Sequence, residues 1–218
     1  ASIISGYDDK EKTIFHYVPE QKPSEEGIQV GVIPEKRFEK LWSEDGCLMV
    51  LLGPNDIVSA LKSDESKTKS NRLCFESERL SLQKQTKETI DSLEKAIQLN
   101  PDNSTALCLL GGVLNEQNNP ECVSYYEKSL EKNENCYLAY RGLGNFYLKN
   151  QKFDKSEQSY TLAIKINENR FGPIYKNRGY VRQQQNKMDD AKQDYQDYIK
   201  FTPNAKDRGM IERALNEM

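Results

Sequence analysis

Five cysteines and one histidine are the side chains of this 218-residue chain that are best suited to nucleophilic or metal chemistry. The cysteines are odd in number, stand singly along the chain and form no Cys-x-x-Cys pair. A disulfide framework or a zinc site usually groups its cysteines more tightly. We therefore predict buried or half-buried free thiols at all five positions, which are Cys47, Cys74, Cys108, Cys122 and Cys136.

A cysteine hydrolase needs a thiolate beside an imidazole, and in this chain that pair would be His16 with Cys47. His16 lies within a run of β-forming residues, which favours a packed or solvated strand histidine instead. None of the cysteines has an evident basic partner that would stabilise a thiolate. The sequence also contains no Gly-rich phosphate loop and no Asp/Glu/His cluster with metal-ligand spacing. It therefore predicts no catalytic residue, no metal and no cofactor in these residues.

A repeated pattern between residues 104 and 205 predicts the structure that would position any binding residues. Pro101 and Pro203 lie 102 residues apart, which is three periods of 34. Glycines recur at one phase of this period, and each is followed 18 or 19 residues later by a small or aromatic residue. These residues are Gly111, Gly144 and Gly179, followed by Ser129, Ala163 and Tyr198. Because a glycine is tolerated in a helix where a second helix must approach closely, each repeat should be a pair of packed helices.

This pattern resembles the tetratricopeptide repeat, which has a period of 34 residues. Residues 137–171 match it best, with Tyr140 at the family's Trp position and Ser156 at its first Ala position. The resemblance implies an all-α superhelix with polar-faced end caps. Its parts would be a degenerate first repeat, three repeats at 104–136, 137–171 and 172–205, and a capping helix at 206–218.

The first 54 residues have a different pattern, because short β-branched, aromatic and aliphatic runs alternate there with turn-forming residues. Between the third and fourth runs, the segment from Pro34 to Trp42 has a helical apolar face. Residues 62–70 lack any apolar side chain, which is typical of a linker. The predicted fold class is therefore α+β, with a small N-terminal antiparallel sheet and one helix, followed by an all-α tetratricopeptide superhelix. The predicted segments are a small α/β part at 1–54 with strands at 2–5, 13–18, 28–33 and 47–52, a linker or short helix at 55–71, and the superhelix at 72–218.

The order of elements in residues 1–54 also resembles the C-terminal half of bacterial papain-like cysteine peptidase domains of the double-glycine, bacteriocin-processing type. The resemblance rests on the turn Gly6-Tyr7-Asp8-Asp9 after the first strand, on the Phe-x-x-x-Trp helix and on a last strand that ends at Gly53-Pro54. It implies that the catalytic Cys and His would lie upstream of Ala1. An enzymatic alternative therefore stays open, in which this chain is the C-terminal part of a cysteine peptidase fused to tetratricopeptide repeats.

The tetratricopeptide resemblance implies candidate binding residues, because family members line a concave groove with set positions of each first helix. These residues are Arg141, Asn145, Leu148, Lys149, Lys176, Asn177, Tyr180 and Gln184. Arg141, Asn145 and Asn177 resemble three positions of the clamp that holds the C-terminal carboxylate of a peptide in some family members. The clamp's other two basic positions fall on Asp207 and Ile211, which do not match. A solvated polar groove face is the alternative interpretation.

Charge and composition limit the class of partner. The chain is 30% charged, has a formal net charge of −3 at pH 7 and contains no apolar run long enough to span a membrane. Residues 141–218 hold 15 basic and 10 acidic side chains, an excess that is too small and too mixed for nucleic acid. We therefore predict a scaffold without enzyme activity that binds a protein or peptide and prefers acidic or carboxylate-bearing segments.

The first six residues lack the basic start and long apolar core of a signal peptide. Because Ala1 need not be the natural start, this observation leaves the compartment open. The resemblances favour a soluble bacterial protein of the cytoplasm or the cell envelope. The sequence does not indicate an oligomeric state.

Overall fold

The structure is a computed structural model, and it describes residues 3–17, 30–34, 36, 38, 64–166 and 172–218. The chain divides into two compact units, Ala1–Leu48 and Met49–Met218.

The described residues of the first unit form three strands, β1 (Ile3–Asp8), β2 (Thr13–Tyr17) and β3 (Val30–Pro34), which pair antiparallel in the order β1-β2-β3. The turn between β1 and β2 is held by the side chain of Asp8, which accepts hydrogen bonds from the backbone N–H groups of Lys10 and Glu11 at 2.9 and 3.0 Å. This is the way in which aspartate commonly stabilises turns. Lys12 completes the turn with a φ of 49°.

Parts of the N-terminal prediction lie outside the described residues. They are the predicted strand at 47–52, Cys47, and the predicted helix at 34–42 apart from Pro34, Lys36 and Phe38. His16 lies in β2, opposite Ile4 of β1 and Gly31 of β3. The hypothesis of a His16–Cys47 pair therefore stays untested.

The described part of the second unit forms nine helices in four antiparallel pairs followed by a terminal helix. Each helix packs most extensively against its partner in the pair, and successive pairs stack. This mostly helical superhelix confirms the tetratricopeptide part of the predicted fold class. The helices are α1 (Glu65–Leu82), α2 (Thr86–Leu99), α3 (Ser104–Glu116), α4 (Cys122–Lys132), α5 (Tyr137–Lys149), α6 (Phe153–Ile166), α7 (Gly172–Gln184), α8 (Met188–Phe201) and α9 (Arg208–Glu217).

The segment predicted as a linker or short helix at 55–71 ends earlier than expected, because residues 65–71 form the first turns of α1. The Asp64 carboxylate caps this helix by accepting from the backbone N–H groups of Ser66 and Lys67 at 2.9 and 3.2 Å. The Ser70 hydroxyl is buried and donates to the carbonyl oxygen of Ala96 on α2 at 2.7 Å. The apolar pattern that usually marks a helix is missing here, because a hydrogen-bonded serine faces the neighbouring helix. Residues 55–63 lie outside the described part.

The predicted close approach of paired helices occurs at a glycine and a tyrosine in three of the four pairs. A Cβ atom at Gly144 would lie 2.5 Å from a ring carbon of Tyr160, and one at Gly111 would lie 2.9 Å from the ring of Tyr126. The third pair is Gly179 with Tyr195, at 3.0 Å. Each tyrosine ring therefore occupies the space that a side chain on the facing helix would need.

The turns inside the four pairs share one backbone geometry. Each contains a non-glycine residue with positive φ, at Lys84, Asn118, Gln151 and Asn186. The next residue in each turn donates its N–H to a carbonyl oxygen five positions earlier, as Lys152 does to Tyr147 at 2.8 Å. This bond satisfies a carbonyl group that the end of the first helix would otherwise leave unpaired. The turns are spaced by 34, 33 and 35 residues, so the repeat period is visible in the backbone as well as in the side chains.

A buried ionic network joins the third and fourth pairs. The Asp194 side chain is fully buried and accepts from Arg178 Nη2 at 2.6 Å and from Arg182 Nη1 at 3.0 Å. Arg182 also donates to Glu157 on α6 at 2.9 Å, and Lys187 donates to the second oxygen of Glu157 at 2.6 Å. Three successive helices are therefore tied together where apolar side chains would be expected in a helical core.

Candidate binding groove

A concave site in the described part of the helical unit is a groove between α1, α3 and α5, with a volume of about 540 Å³. This volume lies in the range of small-ligand and peptide side-chain pockets. The groove is formed mainly by the first helices of three successive pairs, and α3 packs against both α1 and α5. Its lining is Ser77, Glu78, Ser81, Leu82, Thr89, Leu93, Cys108, Leu109, Gly112, Val113, Asn115, Glu116, Tyr126, Leu138, Arg141, Gly142, Asn145 and Lys149.

Asn115 organises the floor of this groove. Its side chain is buried, and its Nδ2 donates to the carbonyl oxygen of Gly142 at 2.9 Å and to the phenol oxygen of Tyr126 at 3.3 Å. A Cβ atom at Gly142 would overlap the Tyr126 ring, so only glycine fits there without rearrangement. Burial raises the pKa of Tyr126, which keeps the phenol neutral. The floor is thus fixed by hydrogen bonds that join α3, α4 and α5.

Lys149 is held at the edge of the groove by the same asparagine. Its ammonium donates to the backbone oxygen of Asn115 at 3.0 Å and to Asn115 Oδ1 at 3.3 Å. An ammonium has three N–H donors, so these two bonds leave a third for a ligand. Arg141 lines the groove from the same helix, α5. The wall formed by α5 therefore presents two cations.

Two acidic residues also line the groove. Glu78 is exposed on α1, and Glu116 is exposed at the end of α3, next to the asparagine that holds Lys149. The lining includes the aliphatic side chains of Leu82, Leu109 and Val113. The groove thus combines acidic, basic and aliphatic side chains.

The structure separates the predicted binding residues into two groups. Arg141, Asn145 and Lys149 line the groove. Leu148, Lys176, Asn177, Tyr180 and Gln184 are not among its lining residues. Asn145 links the two groups, because its Oδ1 accepts from the Tyr160 hydroxyl at 2.7 Å and from Asn177 Nδ2 at 3.3 Å.

Lys176 is neutralised within the chain. Its ammonium lies 2.7 Å from a carboxylate oxygen of Asp207, whose other oxygen accepts from the Tyr198 hydroxyl at 2.5 Å. The bonds from Lys176 and Tyr198 lower the pKa of Asp207, while burial and the bond to Asp207 raise the pKa of Tyr198 to about 12. Asp207, the residue that failed to match the clamp, therefore supplies an internal carboxylate to the predicted groove lysine.

The residues on α3 were omitted from the predicted site although the same positional rule would have found them. Applied to residues 104–136, the rule that selects Arg141, Asn145 and Lys149 selects residues 105, 108, 109, 112, 115 and 116. Five of these six line the groove, and they are Cys108, Leu109, Gly112, Asn115 and Glu116. The residues on α1 were not assigned, because the sequence predicted a degenerate first repeat there without fixing which positions of its first helix face the groove.

The prediction of buried free thiols is confirmed for the four cysteines that the structure describes. Cys74, Cys108, Cys122 and Cys136 are all buried and unbridged. Burial raises the pKa of Cys74 to about 12. Cys47 lies outside the described residues.

Cys136 differs from the expectation that no thiol would be stabilised as a thiolate. A hydrogen bond from the Cys108 thiol lowers the pKa of Cys136 to about 7, and the backbone N–H of Ala139 contributes in the same direction against the effect of burial. The same bond between the thiols raises the pKa of Cys108. Cys136 is only 5% exposed, so this thiol lies in the core and does not face a substrate cavity.

Comparison with known proteins identifies the repeat directly. A tetratricopeptide repeat family model matches residues 139–170, which confirms the central repeat predicted at 137–171. A comparison with curated proteins finds no match. None of the comparisons supports the resemblance of residues 1–54 to papain-like peptidases.

Several solved structures share the fold of the helical unit. Pseudomonas aeruginosa PilF is 16% identical and aligns with a TM-score of 0.64 over 71% of this chain and 70% of its own. YrrB, described as a TPR protein with an unusual peptide-binding site, is 18% identical with a TM-score of 0.55 over 71% of this chain and 77% of its own. MamA from Desulfovibrio magneticus RS-1 is 14% identical and aligns with a TM-score of 0.58 over 68% of this chain and 86% of its own. At these identities the likeness establishes a tetratricopeptide-type superhelix.

Two features are absent from the residues that the structure describes. None of their helices is long and apolar enough to cross a membrane. Within the same residues, no group of three or more His, Cys, Asp or Glu side chains is arranged to hold a metal ion.

Proposed function

We propose that the helical unit is a scaffold that binds a protein or peptide segment in the groove between α1, α3 and α5, and that the segment carries a carboxylate. The observation that carries this proposal is the groove itself, which is lined by aliphatic side chains and by two basic residues of α5, Arg141 and Lys149. The tetratricopeptide fold is consistent with it, as is the peptide-binding site described for YrrB.

The carboxylate preference follows from the way in which Lys149 is held. Its ammonium donates to two oxygen atoms of Asn115, which are neutral and leave the positive charge uncompensated by these bonds. A ligand carboxylate would add a charge-assisted hydrogen bond, which is stronger than a neutral one. Arg141, on the same wall, would strengthen the attraction.

The proposed site is displaced by one repeat from the region favoured by the sequence. Much of the positive charge of residues 141–218 is paired internally: Lys176 with Asp207, Arg178 with Asp194, and Arg182 with both Asp194 and Glu157. An acidic ligand at α7 would have to compete with these bonds, whereas the ammonium of Lys149 on α5 is bonded to neutral oxygen atoms.

The test is a selection of short random peptides displayed on phage, followed by affinity measurements on the enriched sequences by fluorescence anisotropy. The double variant Arg141→Ala, Lys149→Ala should weaken their binding at least roughly tenfold, because each charged hydrogen bond contributes about 1.5–3 kcal/mol at most. The affinity for the native protein should also fall as salt is added.

The matched control is the double variant Lys87→Ala, Lys95→Ala. It removes the same charge from two exposed positions on α2 that do not line the groove. Thermal melts of all three proteins establish that the variants are folded. Enrichment of no peptide, or equal loss of affinity in the two double variants, would contradict the proposed site.

A further inference from the structure

Two cysteines from successive helix pairs are in direct contact in the core of the helical unit. We infer that Cys108 and Cys136 are a redox-active pair, which hydrogen peroxide converts to a disulfide that joins α3 to α5. Their sulfur atoms are in hydrogen-bond contact, with the Cys108 thiol as the donor. Both residues also belong to one buried cluster of the core. This modification site is independent of the proposed binding function.

Cys136 is placed to be the nucleophile of the pair. It is the N-cap residue of α5, and the helix dipole and the unpaired N–H groups at a helix start favour negative charge there. The bond from Cys108 and, against the effect of burial, the backbone N–H of Ala139 lower the pKa of Cys136 to about 7. At neutral pH much of this thiol is therefore thiolate, which is the form that reacts with peroxides.

Cys108 supplies the second thiol and a route from solvent. It lines the groove between α1, α3 and α5 and is 7% exposed, whereas Cys136 is 5% exposed. A small oxidant can therefore approach the pair through the groove. The active site of a second protein could not reach either sulfur, so a peroxide is a better oxidant for this site than a protein disulfide.

The chemistry needs no further reactant. The Cys136 thiolate attacks one oxygen of hydrogen peroxide, an S–O bond forms as the O–O bond breaks, and the released hydroxide takes up a proton to become water. The Cys108 sulfur then attacks the sulfur of the Cys136 sulfenic acid. An S–S bond forms, the S–O bond breaks, and the second hydroxide leaves as water with the proton of Cys108. Two thiols are oxidised by two electrons, and the peroxide is reduced to two waters.

Two other cysteines are controls within the same chain. Cys74 on α1 and Cys122 on α4 are buried and unbridged. Burial raises the pKa of Cys74 to about 12, and it also raises the pKa of Cys122. Both thiols are therefore nearly all protonated at neutral pH. Burial without thiolate character predicts slow oxidation.

The test is a time course of the native chain in hydrogen peroxide. Samples are unfolded in iodoacetamide, which blocks the remaining thiols, and are digested with trypsin and a glutamate-specific protease. Cleavage after Glu116 separates Cys108 from Cys122, so mass spectrometry can assign each oxidised cysteine. The first product should be the linked pair Cys108–Cys136, formed at least roughly tenfold faster than any oxidation of Cys74 or Cys122. Dithiothreitol should reverse it.

A serine variant separates the two steps. Cys108→Ser keeps a hydrogen-bond donor beside Cys136 but removes the second sulfur, so the Cys136 sulfenic acid should persist and be captured by dimedone. Cys122→Ser is the matched control, because it changes a buried cysteine of the same core cluster. It should form the linked pair at the native rate. Thermal melts establish that both variants are folded.

Three results in the native chain would overturn the inference, and they hold even where a variant fails to fold. The first is a first-formed disulfide that includes any other cysteine. The second is oxidation of Cys74 or Cys122 as fast as that of Cys136. The third is absence of the linked pair while the chain stays folded in peroxide.

Discussion

Replacement of Asp194 by alanine is expected to lower the free energy of unfolding by about 3–5 kcal/mol, the range seen when one partner of a buried ion pair is removed. Asp194 is fully buried, and the side chain of Arg178 is only 11% exposed. Burial raises the pKa of Asp194, and the two arginines oppose that effect. Without the carboxylate, Arg178 and Arg182 would remain close together with their shared anion missing.

Urea unfolding monitored by circular dichroism measures this effect. Asp189→Ala is the control, because Asp189 is an exposed aspartate at the start of the same helix, α8. Asp194→Asn, which keeps the size but removes the charge, should be nearly as destabilised as Asp194→Ala. A loss below roughly 1 kcal/mol in the alanine variant would show that the network contributes no more than an exposed pair.

Gly144→Leu is expected to destabilise the superhelix by about 1–3 kcal/mol or more through overpacking. Tyr160 is fully buried opposite this glycine, and even a Cβ atom at position 144 would lie 2.5 Å from its ring. The ring cannot move outward without disturbing its hydroxyl bond to Asn145. The thermal midpoint should therefore fall clearly.

Gly209→Leu is the matched control for this prediction, because a Cβ atom at that position of α9 meets nothing within 4 Å. Leucine also has a better helix propensity than glycine by roughly 1 kcal/mol, which acts against the loss at position 144 and in favour of stability at 209. Coincident melting curves for Gly144→Leu and the native protein would mean that the glycine–tyrosine contact does not determine helix spacing.

The repeats could be predicted from the sequence because the contact that determines their geometry is between specific residue types. Only a glycine permits the approach of Tyr126 or Tyr160, so those residues recur at a fixed phase. The start of the first helix, α1, was missed because part of its inner face is serine, and Ser70 reaches Ala96 by a hydrogen bond that leaves no apolar pattern.

The candidate site was predicted only in part, for a different reason. Spacing identifies which positions face the groove, but it does not show which charges are already paired. Lys176 occupies a predicted groove position, yet Asp207, which immediately precedes α9, neutralises it. Pairing between distant segments depends on tertiary structure, and only the structure shows that the cations on α5 border a groove.

Photo-cross-linking tests the location of the ligand most directly. A benzoylphenylalanine residue would replace Leu82, which lines the groove and is 87% exposed, or Leu162, which is on α6 outside the groove and 36% exposed. With the enriched peptides as probes, we expect irradiation to cross-link them to position 82 and not to position 162, and excess unlabelled peptide to suppress the product. Cross-linking at position 162 with none at position 82 would contradict the groove between α1, α3 and α5 as the binding site.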